Sequence, residues 1–277
     1  MPYFRTTDGL RLAYSDEDNG PGPTILCLAG LTRNMTDFDF FADALDRPGR
    51  IIRLDSRGRG ASDWDADYNN YNVVKEAADA MELCDHLNLD RVTVLGASRG
   101  GILGMVMAAT RPGLLSGLVL CDVGPDVDFV GLKRILAYIG KPVDYASYEE
   151  AAEDYFDKLG DVFVGCGPDY FLDIVKRSYN ADGGALTLNY DPALRDATEA
   201  QLAVVKEHGH GLWPIFPMLK RVPLLALRAE NSDILSDETL GKMRSIKSDM
   251  LSAVVRGVGL AVARERRLVL REAHERA

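Results

Sequence analysis

A single serine stands between two glycines in the segment Gly96-Ala97-Ser98-Arg99-Gly100. The spacing G-x-S-x-G is typical of a nucleophilic serine on a tight turn between a strand and a helix. Here the motif follows an apolar run at residues 92–95 and precedes a helical pattern that stops before Pro112. Because the first N–H groups of a helix have no partner within it, negative charge is stabilised at that point. We therefore predict that Ser98 attacks a carbonyl carbon as a catalytic nucleophile.

Such an attack requires two N–H donors that bind the oxyanion formed from the carbonyl oxygen. The backbone N–H of Arg99, directly after the serine, is the first candidate. The second should come from the turn after an earlier strand. The apolar run at residues 24–29 ends at Gly30, so the sequence predicts the N–H of Leu31 as the second donor.

Short apolar runs alternate with helical patterns through much of the chain. After a predicted hairpin at residues 3–5 and 10–14, we expect strands at residues 24–29, 50–54, 91–95, 117–121, 222–227 and 250–255. This alternation is typical of an α/β fold with a mostly parallel, doubly wound sheet covered on both faces. Ligands of such sheets bind beyond the carboxyl ends of the strands. The residues that follow the strands there are Gly30, Leu31, Asp55, Ser98 and Asp122.

The alternation stops after Pro125, and we expect only helices from there to about Gly211. Ser147 and Glu150 form a capping box, and Pro168 is placed for the first turn of another helix. A helical excursion between two strands of one sheet is a cap. We therefore predict a core of residues 1–124 and 212–277 and a helical cap of residues 125–211, inserted after the sixth strand. Most of the cap's aromatic side chains should pack onto the core, and a minority should line a pocket.

Several segments together resemble the α/β-hydrolase fold family over nearly the whole chain. They are residues 28–34, 55–63, 96–101, 121–125 and 228–236. The subgroup that the chain most resembles contains capped, cofactor-free bacterial hydrolases of esters and lactones. The resemblance implies that a carboxylate after the strand at residues 222–227 orients a catalytic histidine. Asp233 matches that position, and Glu230 and Asp122 are alternatives.

The family's histidine follows the last strand in a turn that reads roughly Gly-His-Ala-Pro. Gly259 and Ala261 match this pattern, but Leu260 occupies the place of the histidine and Val262 that of the proline. The base of the triad is therefore missing at position 260. Residues 256–277 contain six Arg and three acidic residues, which favours a frameshifted or degenerate C terminus, the alternative being a natural Arg-rich helix.

Four histidines remain as candidates for a replacement base. His86 ends the helix before the strand at residues 91–95, on the wrong side of the sheet. His274 lies about 20 Å beyond Leu260 along a straight helix. His208 and His210 lie where the cap returns to the core and are the nearest in plausibility, although a surface loop is the simpler interpretation.

The composition excludes several function classes. The net charge of −10 and the pI of about 5.0 argue against nucleic-acid binding. No apolar run has the length of a signal peptide or a membrane span, so we expect a cytoplasmic protein with no membrane partner. The four cysteines lack metal-ligand spacing, and we predict neither a metal nor a cofactor. Their positions are Cys27, Cys84, Cys121 and Cys166.

These observations predict an enzyme that hydrolyses a small carboxylic ester or lactone through an acyl-enzyme at Ser98. The missing base leaves two other interpretations open. The chain could be an inactive relative that only binds a small molecule, or a non-hydrolytic enzyme that shares the fold. The sequence identifies neither the substrate nor the oligomeric state.

Overall fold

The computed structural model describes residues 1–45, 48–160, 166–182, 184–208 and 211–255. In this part of the chain, eight strands form one sheet in the order β1-β2-β4-β3-β5-β6-β9-β10. The strands of this sheet are β1 (Tyr3–Arg5), β2 (Arg11–Asp18), β3 (Thr24–Leu28), β4 (Arg50–Leu54), β5 (Val92–Ala97), β6 (Leu115–Cys121), β9 (Leu224–Ala229) and β10 (Leu251–Val255). The pairs β1–β2 and β2–β4 are antiparallel, and the other five pairs of this sheet are parallel. The predicted hairpin and the predicted mostly parallel sheet are confirmed.

The helices cover the sheet and extend beyond its carboxyl edge. They are α1 (Asp39–Ala44), α2 (Val73–His86), α3 (Arg99–Thr110), α4 (Phe129–Tyr138), α5 (Tyr148–Leu159), α6 (Pro168–Ser178), α7 (Leu194–His208) and α8 (Asp237–Ile246). The central strands are buried because helices pack on both faces, as in α/β sheets generally. For example, Val94 on β5 and Leu118 on β6 belong to the same buried cluster as Leu103 on α3.

The segment between β6 and β9, called here the inserted segment (residues 125–211), is mostly helical. Ser147 caps α5 by accepting a hydrogen bond from the N–H of Glu150, and Pro168 begins α6, as expected. The expectation of helices only is wrong at one place, because β7 (Tyr179–Asp182) and β8 (Ala185–Leu188) form an antiparallel hairpin. Asp182 pairs with Ala185, and Gly184 has a φ of 94°, which glycine adopts without steric cost. The Asp-Gly-Gly run at residues 182–184 is a hairpin signal in the sequence.

The parallel strands bring the residues of interest to one edge of the sheet. The chain leaves β3, β5, β6, β9 and β10 at the same edge, where Val255 pairs with Ala229. Position 260, His210 and His274 lie outside the described residues, as do residues 161–165. No helix among the described residues is long and apolar enough to cross a bilayer.

Candidate functional site

Ser98 lies at the turn between β5 and α3, where the sequence places it. Its backbone has φ 49° and ψ −117°, a combination that costs a non-glycine residue free energy and is found at functional sites. The N–H of Ser98 donates to the carbonyl of Cys121 at 2.9 Å, which ties the turn to the end of β6. The neighbouring sheet therefore holds the strained turn in place.

The two glycines of the motif are required by close packing. A Cβ atom on Gly100 would lie 1.9 Å from the carbonyl oxygen of Leu28. A Cβ atom on Gly96 would lie 2.4 Å from the backbone nitrogen of Gly101. Both distances are far below van der Waals contact, so α3 can approach the sheet this closely only because both positions are glycine.

The turn after β3 lies beside Ser98. A Cβ atom on Gly30 would stand 3.8 Å from the Cβ atom of Ser98. The carbonyl of Gly30 accepts a hydrogen bond from the N–H of Arg33 at 3.1 Å, which fixes the peptide that carries the Leu31 N–H. Among the described residues, neither the Leu31 N–H nor the Arg99 N–H has an acceptor. Both predicted oxyanion donors are thus available next to the serine.

Ser98 lines a cavity of about 560 Å³ that lies between the sheet edge and the inserted segment. From the core, Gly30, Thr32, Ala97 and Cys121 also contribute to its wall. From the inserted segment come six tyrosines, namely Tyr138, Tyr145, Tyr155, Tyr170, Tyr179 and Tyr190. A cavity of this size and concave shape is typical of a small-molecule site.

The wall of this cavity carries charged side chains that the sequence did not single out. Arg33 forms a two-pronged ion pair with Asp37, with distances of 2.7 and 2.6 Å, and also donates to the Ser178 hydroxyl. Arg134 on α4 and Lys141, which follows α4 in the chain, also line the cavity. Lys141 has no ion-pair partner among the described residues.

Asp233, the predicted acid of a triad, lies in the loop after β9. Its carboxylate accepts two hydrogen bonds from the Arg134 guanidinium, at 2.7 and 2.8 Å. Its backbone carbonyl accepts from the N–H of Gly131 at 3.0 Å, and the next carbonyl, that of Ile234, accepts from Asp128 at 3.0 Å. The start of α4 is therefore docked directly onto the loop that carries Asp233.

The alternative acids occupy different surroundings. Asp122 follows β6, is 1% exposed and has a φ of 55°. Its carboxylate accepts from the Ala229 N–H and the Ser232 hydroxyl, both at 2.9 Å, and burial raises its pKa. These bonds connect the end of β6 to the loop that carries Asp233. Glu230 is exposed, and its N–H donates to the carbonyl of Val255.

No described side chain accepts a hydrogen bond from the Ser98 hydroxyl. His86 packs against Phe4, with ring centroids 5.8 Å apart, and its ring lies 3.5 Å from the Tyr14 hydroxyl. The residues that line the cavity include neither His86 nor its two aromatic neighbours, Phe4 and Tyr14. His208 lies in α7, whereas His210, His274 and Leu260 lie outside the described residues.

One further aspartate, Asp55, ties together loops at the carboxyl edge of the sheet. Asp55 follows β4 and accepts hydrogen bonds from the N–H groups of Met35 and Ala61, at 2.7 and 2.9 Å. Burial raises its pKa to about 6. Among the described residues, no cluster of three His, Cys, Asp or Glu side chains could hold a metal ion.

The chain is similar to several known proteins. Residues 23–144 match a family described as "alpha/beta hydrolase fold". A 3-hydroxybutyrate-oligomer hydrolase from Cupriavidus necator is 34% identical over 260 residues, which cover 91% of this chain and 87% of the relative. A 2-(acetamidomethylene)succinate hydrolase from Mesorhizobium japonicum is 25% identical over 256 residues, with coverages of 91% and 87%. The crystal structure of an alpha/beta hydrolase from Novosphingobium aromaticivorans has a TM-score of 0.86 and 30% identity, covering 100% of this chain and 98% of that one.

Proposed function

This chain belongs to the α/β-hydrolase family and is a hydrolase, and from that premise we propose that Ser98 is its nucleophile. The observation that carries the proposal is the strained turn at Ser98, which faces the cavity next to two N–H groups without acceptors. We propose that Asp233 is the acid of the site and that residues 125–211 act as its cap.

The proposed reaction is hydrolysis of a small carboxylic ester or lactone. The Ser98 hydroxyl oxygen bonds to the carbonyl carbon while its proton passes to a water molecule, and the N–H groups of Leu31 and Arg99 bind the oxyanion. Collapse of this intermediate breaks the bond between the carbonyl carbon and the alcohol oxygen, which takes up a proton from that water. Water then attacks the acyl-serine ester, releasing the acid and restoring the Ser98 hydroxyl.

Within this class, we propose an oligoester of a short hydroxy acid as the substrate. The support comes from the 3-hydroxybutyrate-oligomer hydrolase, which is similar over nearly the whole chain. The cavity suits such a molecule, because the Tyr190 hydroxyl accepts a hydrogen bond from the Gly140 N–H at 3.3 Å and keeps its own proton for an ester carbonyl. The hydroxyl of Tyr145 already donates to Asp154, and those of Tyr155 and Tyr179 bond to each other. The proposed compartment is the cytoplasm, which agrees with four cysteines that form no disulfide.

The residue at position 260 sets the expected rate. Leucine cannot accept the serine proton, and the loss of one triad member typically lowers kcat by about 10⁴- to 10⁶-fold. The rate that remains in such enzymes comes from the oxyanion hole and from substrate binding. We therefore propose slow hydrolysis by this chain.

A second candidate function is small-molecule binding without turnover. The observation that favours it is the ion pair between Asp233 and Arg134, which uses the carboxylate that would otherwise orient a histidine. In that case the cavity and its tyrosines would be retained for a ligand, while Ser98 would stay unmodified.

Hydrolysis of p-nitrophenyl butyrate and of linear 3-hydroxybutyrate dimer by the full chain tests the proposal. Ser98→Ala should abolish both rates above the background reaction. Ser245→Ala is the matched control, because this exposed serine on α8 bonds only within its own helix, to the carbonyl of Lys242. An unchanged rate in Ser98→Ala would refute the proposed nucleophile. Dimer binding by calorimetry with no turnover would favour the second candidate.

A further inference from the structure

Glu76 carries a buried negative charge on the core-facing side of α2. The residue is 1% exposed, and the same face of the helix presents Ala80 and Leu83 to the core. A buried carboxylate persists in proteins when cationic hydrogen-bond donors surround it. Burial acts to raise the pKa of Glu76, but the guanidinium groups of Arg59 and Arg99 lower it overall, so the group is an anion at neutral pH.

The two arginines reach Glu76 from different parts of the site. Arg99 follows the nucleophile and forms a two-pronged contact, with Nε donating to Oε2 at 2.9 Å and Nη2 to Oε1 at 2.8 Å. Arg59 comes from the loop after β4 and donates through Nη1 to Oε1 at 3.1 Å. Both arginines are buried, at 9% and 1% exposed respectively.

Arg59 extends this cluster to the turn after β3. Its Nε donates to the carbonyl oxygen of Leu31 at 2.8 Å. The Arg33 N–H holds the carbonyl of Gly30 on the other side of the same residue. The peptide planes on both sides of Leu31 are therefore fixed, and with them the direction of the Leu31 N–H.

We infer that Glu76 is a positioning residue that holds both oxyanion donors, Arg99 directly and Leu31 through Arg59. This inference rests on the proposed function, because it assigns a role in the proposed reaction. Preorganised donors accelerate acyl transfer since they need not reorient as negative charge develops.

A second buried pair on the same helix provides a matched comparison. Asp79 is 1% exposed and binds the Arg57 guanidinium at 2.7 and 2.6 Å. The Arg57 guanidinium otherwise binds Asp8 and Asp65, both carboxylates far in sequence from the oxyanion turn. The Arg57 carbonyl also accepts from Arg59 Nη1 at 2.6 Å, so the two clusters touch, but the Asp79 carboxylate bonds neither Arg59 nor Arg99. Loss of the Asp79 charge should therefore disturb a buried ion pair while the bonds from Arg59 and Arg99 to Glu76 stay in place.

The test compares Glu76→Gln with Asp79→Asn in the full chain, using p-nitrophenyl butyrate well below both melting temperatures. The readout is the rate of Ser98 acylation, followed by intact-protein mass spectrometry over hours at several ester concentrations. Glu76→Gln should lower the maximal acylation rate about tenfold, with the half-saturating concentration changed by less than about twofold. Asp79→Asn should keep the maximal rate within about twofold, even if it lowers the melting temperature as much.

Equal rate losses in the two variants would overturn the inference, as would an unchanged maximal rate in Glu76→Gln. If Glu76→Gln does not fold, Arg59→Lys replaces it, since a lysine ammonium lacks the fork that joins Leu31 to Glu76. A full maximal rate in folded Arg59→Lys would also overturn the inference. Acylation that is absent in the unaltered chain, or that persists in Ser98→Ala, would refute the proposed function itself. Acylation that depends on Ser98 but not on Glu76 would refute the positioning role alone.

Discussion

The two halves of the site are held in different ways. Ser98, Leu31 and Arg99 are fixed from within the core, by the carbonyl of Cys121 and by the buried cluster around Glu76. Asp233, in contrast, is held by α4 of the inserted segment, through Gly131 and Arg134. Among the described residues, the contacts that hold Ser98, Leu31 and Arg99 involve no histidine, whereas the carboxylate proposed as the acid of the site is engaged by Arg134 of the inserted segment.

The largest expected effect comes from adding a base to the acid half. Leu260→His should raise kcat on p-nitrophenyl butyrate by about 100-fold or more, because an imidazole can accept the Ser98 proton and Asp233 can orient it. Initial rates of the unaltered chain and of the variant provide the measurement.

The control for this gain is Leu260→Ala, which changes the side chain without adding a base and should leave the rate low. The gain should vanish when Leu260→His is combined with Ser98→Ala. Equal and high rates in the unaltered chain and in Leu260→His would show that another base, such as His208 or His210, already serves.

The next effect concerns pH and the buried aspartate beside the nucleophile half. Burial raises the pKa of Asp55 from 3.8 to about 6, although the N–H groups of Ala61 and Met35 oppose the shift. The folded state thus favours the protonated carboxyl of Asp55. The stabilisation that this group contributes to the folded state is complete well below pH 4 and is lost as the pH rises through about 6. The shift corresponds to about 3 kcal/mol in the free energy of unfolding.

Urea unfolding between pH 4 and pH 7 measures this contribution. The decrease in the free energy of unfolding over this range should be about 2.4 kcal/mol smaller in Asp55→Asn than in the unaltered chain, because part of the contribution is already lost at pH 4. Asp79 and Asp122 also have raised pKa values and contribute to the decrease in both proteins. Parallel pH profiles for the two proteins would contradict the assignment to Asp55.

A smaller effect should follow when the inserted segment is separated from the acid loop. A Cβ atom on Gly131 would lie 2.4 Å from the carbonyl oxygen of Asp233, so Gly131→Ala must push α4 away from that loop. We expect a loss of about 2 kcal/mol in the free energy of unfolding. Gly241→Ala is the matched control, since a Cβ atom there meets nothing within 4 Å, and this helical substitution should be neutral or stabilising. Equal effects of the two substitutions on urea unfolding would show that the contact with Asp233 is not tight.

The parts of this architecture that follow from short sequence segments were predictable. Local apolar patterns and turn residues determine three of them. These are the strand β5 before Ser98, the hairpin of β1 and β2, and the start of α6 at Pro168. The β7–β8 hairpin departs from the expected run of helices, and its only local signal is the Asp-Gly-Gly run at residues 182–184, within a segment whose other patterns favour helices.

Contacts between distant positions were not predictable in the same way. Arg134 and Asp233 are 99 positions apart, and nothing in either segment alone indicates that they meet. The sequence carries a weak signal for Glu76, because a glutamate on the apolar face of α2 indicates that a buried cationic partner is present. The identity of that partner depends on how α2, α3 and the loop after β4 pack together, which is a property of the whole fold.

The most direct test of the central claim is the time course of acylation at Ser98. The full chain and Leu260→His are mixed with p-nitrophenyl butyrate, quenched at intervals, digested and mapped by mass spectrometry. We predict a butyryl group on the peptide that contains Ser98 in both proteins, formed faster in Leu260→His, and none on that peptide in Ser98→Ala. Ester hydrolysis without an adduct on Ser98, or with an adduct on another residue, would contradict the assignment of Ser98 as the nucleophile.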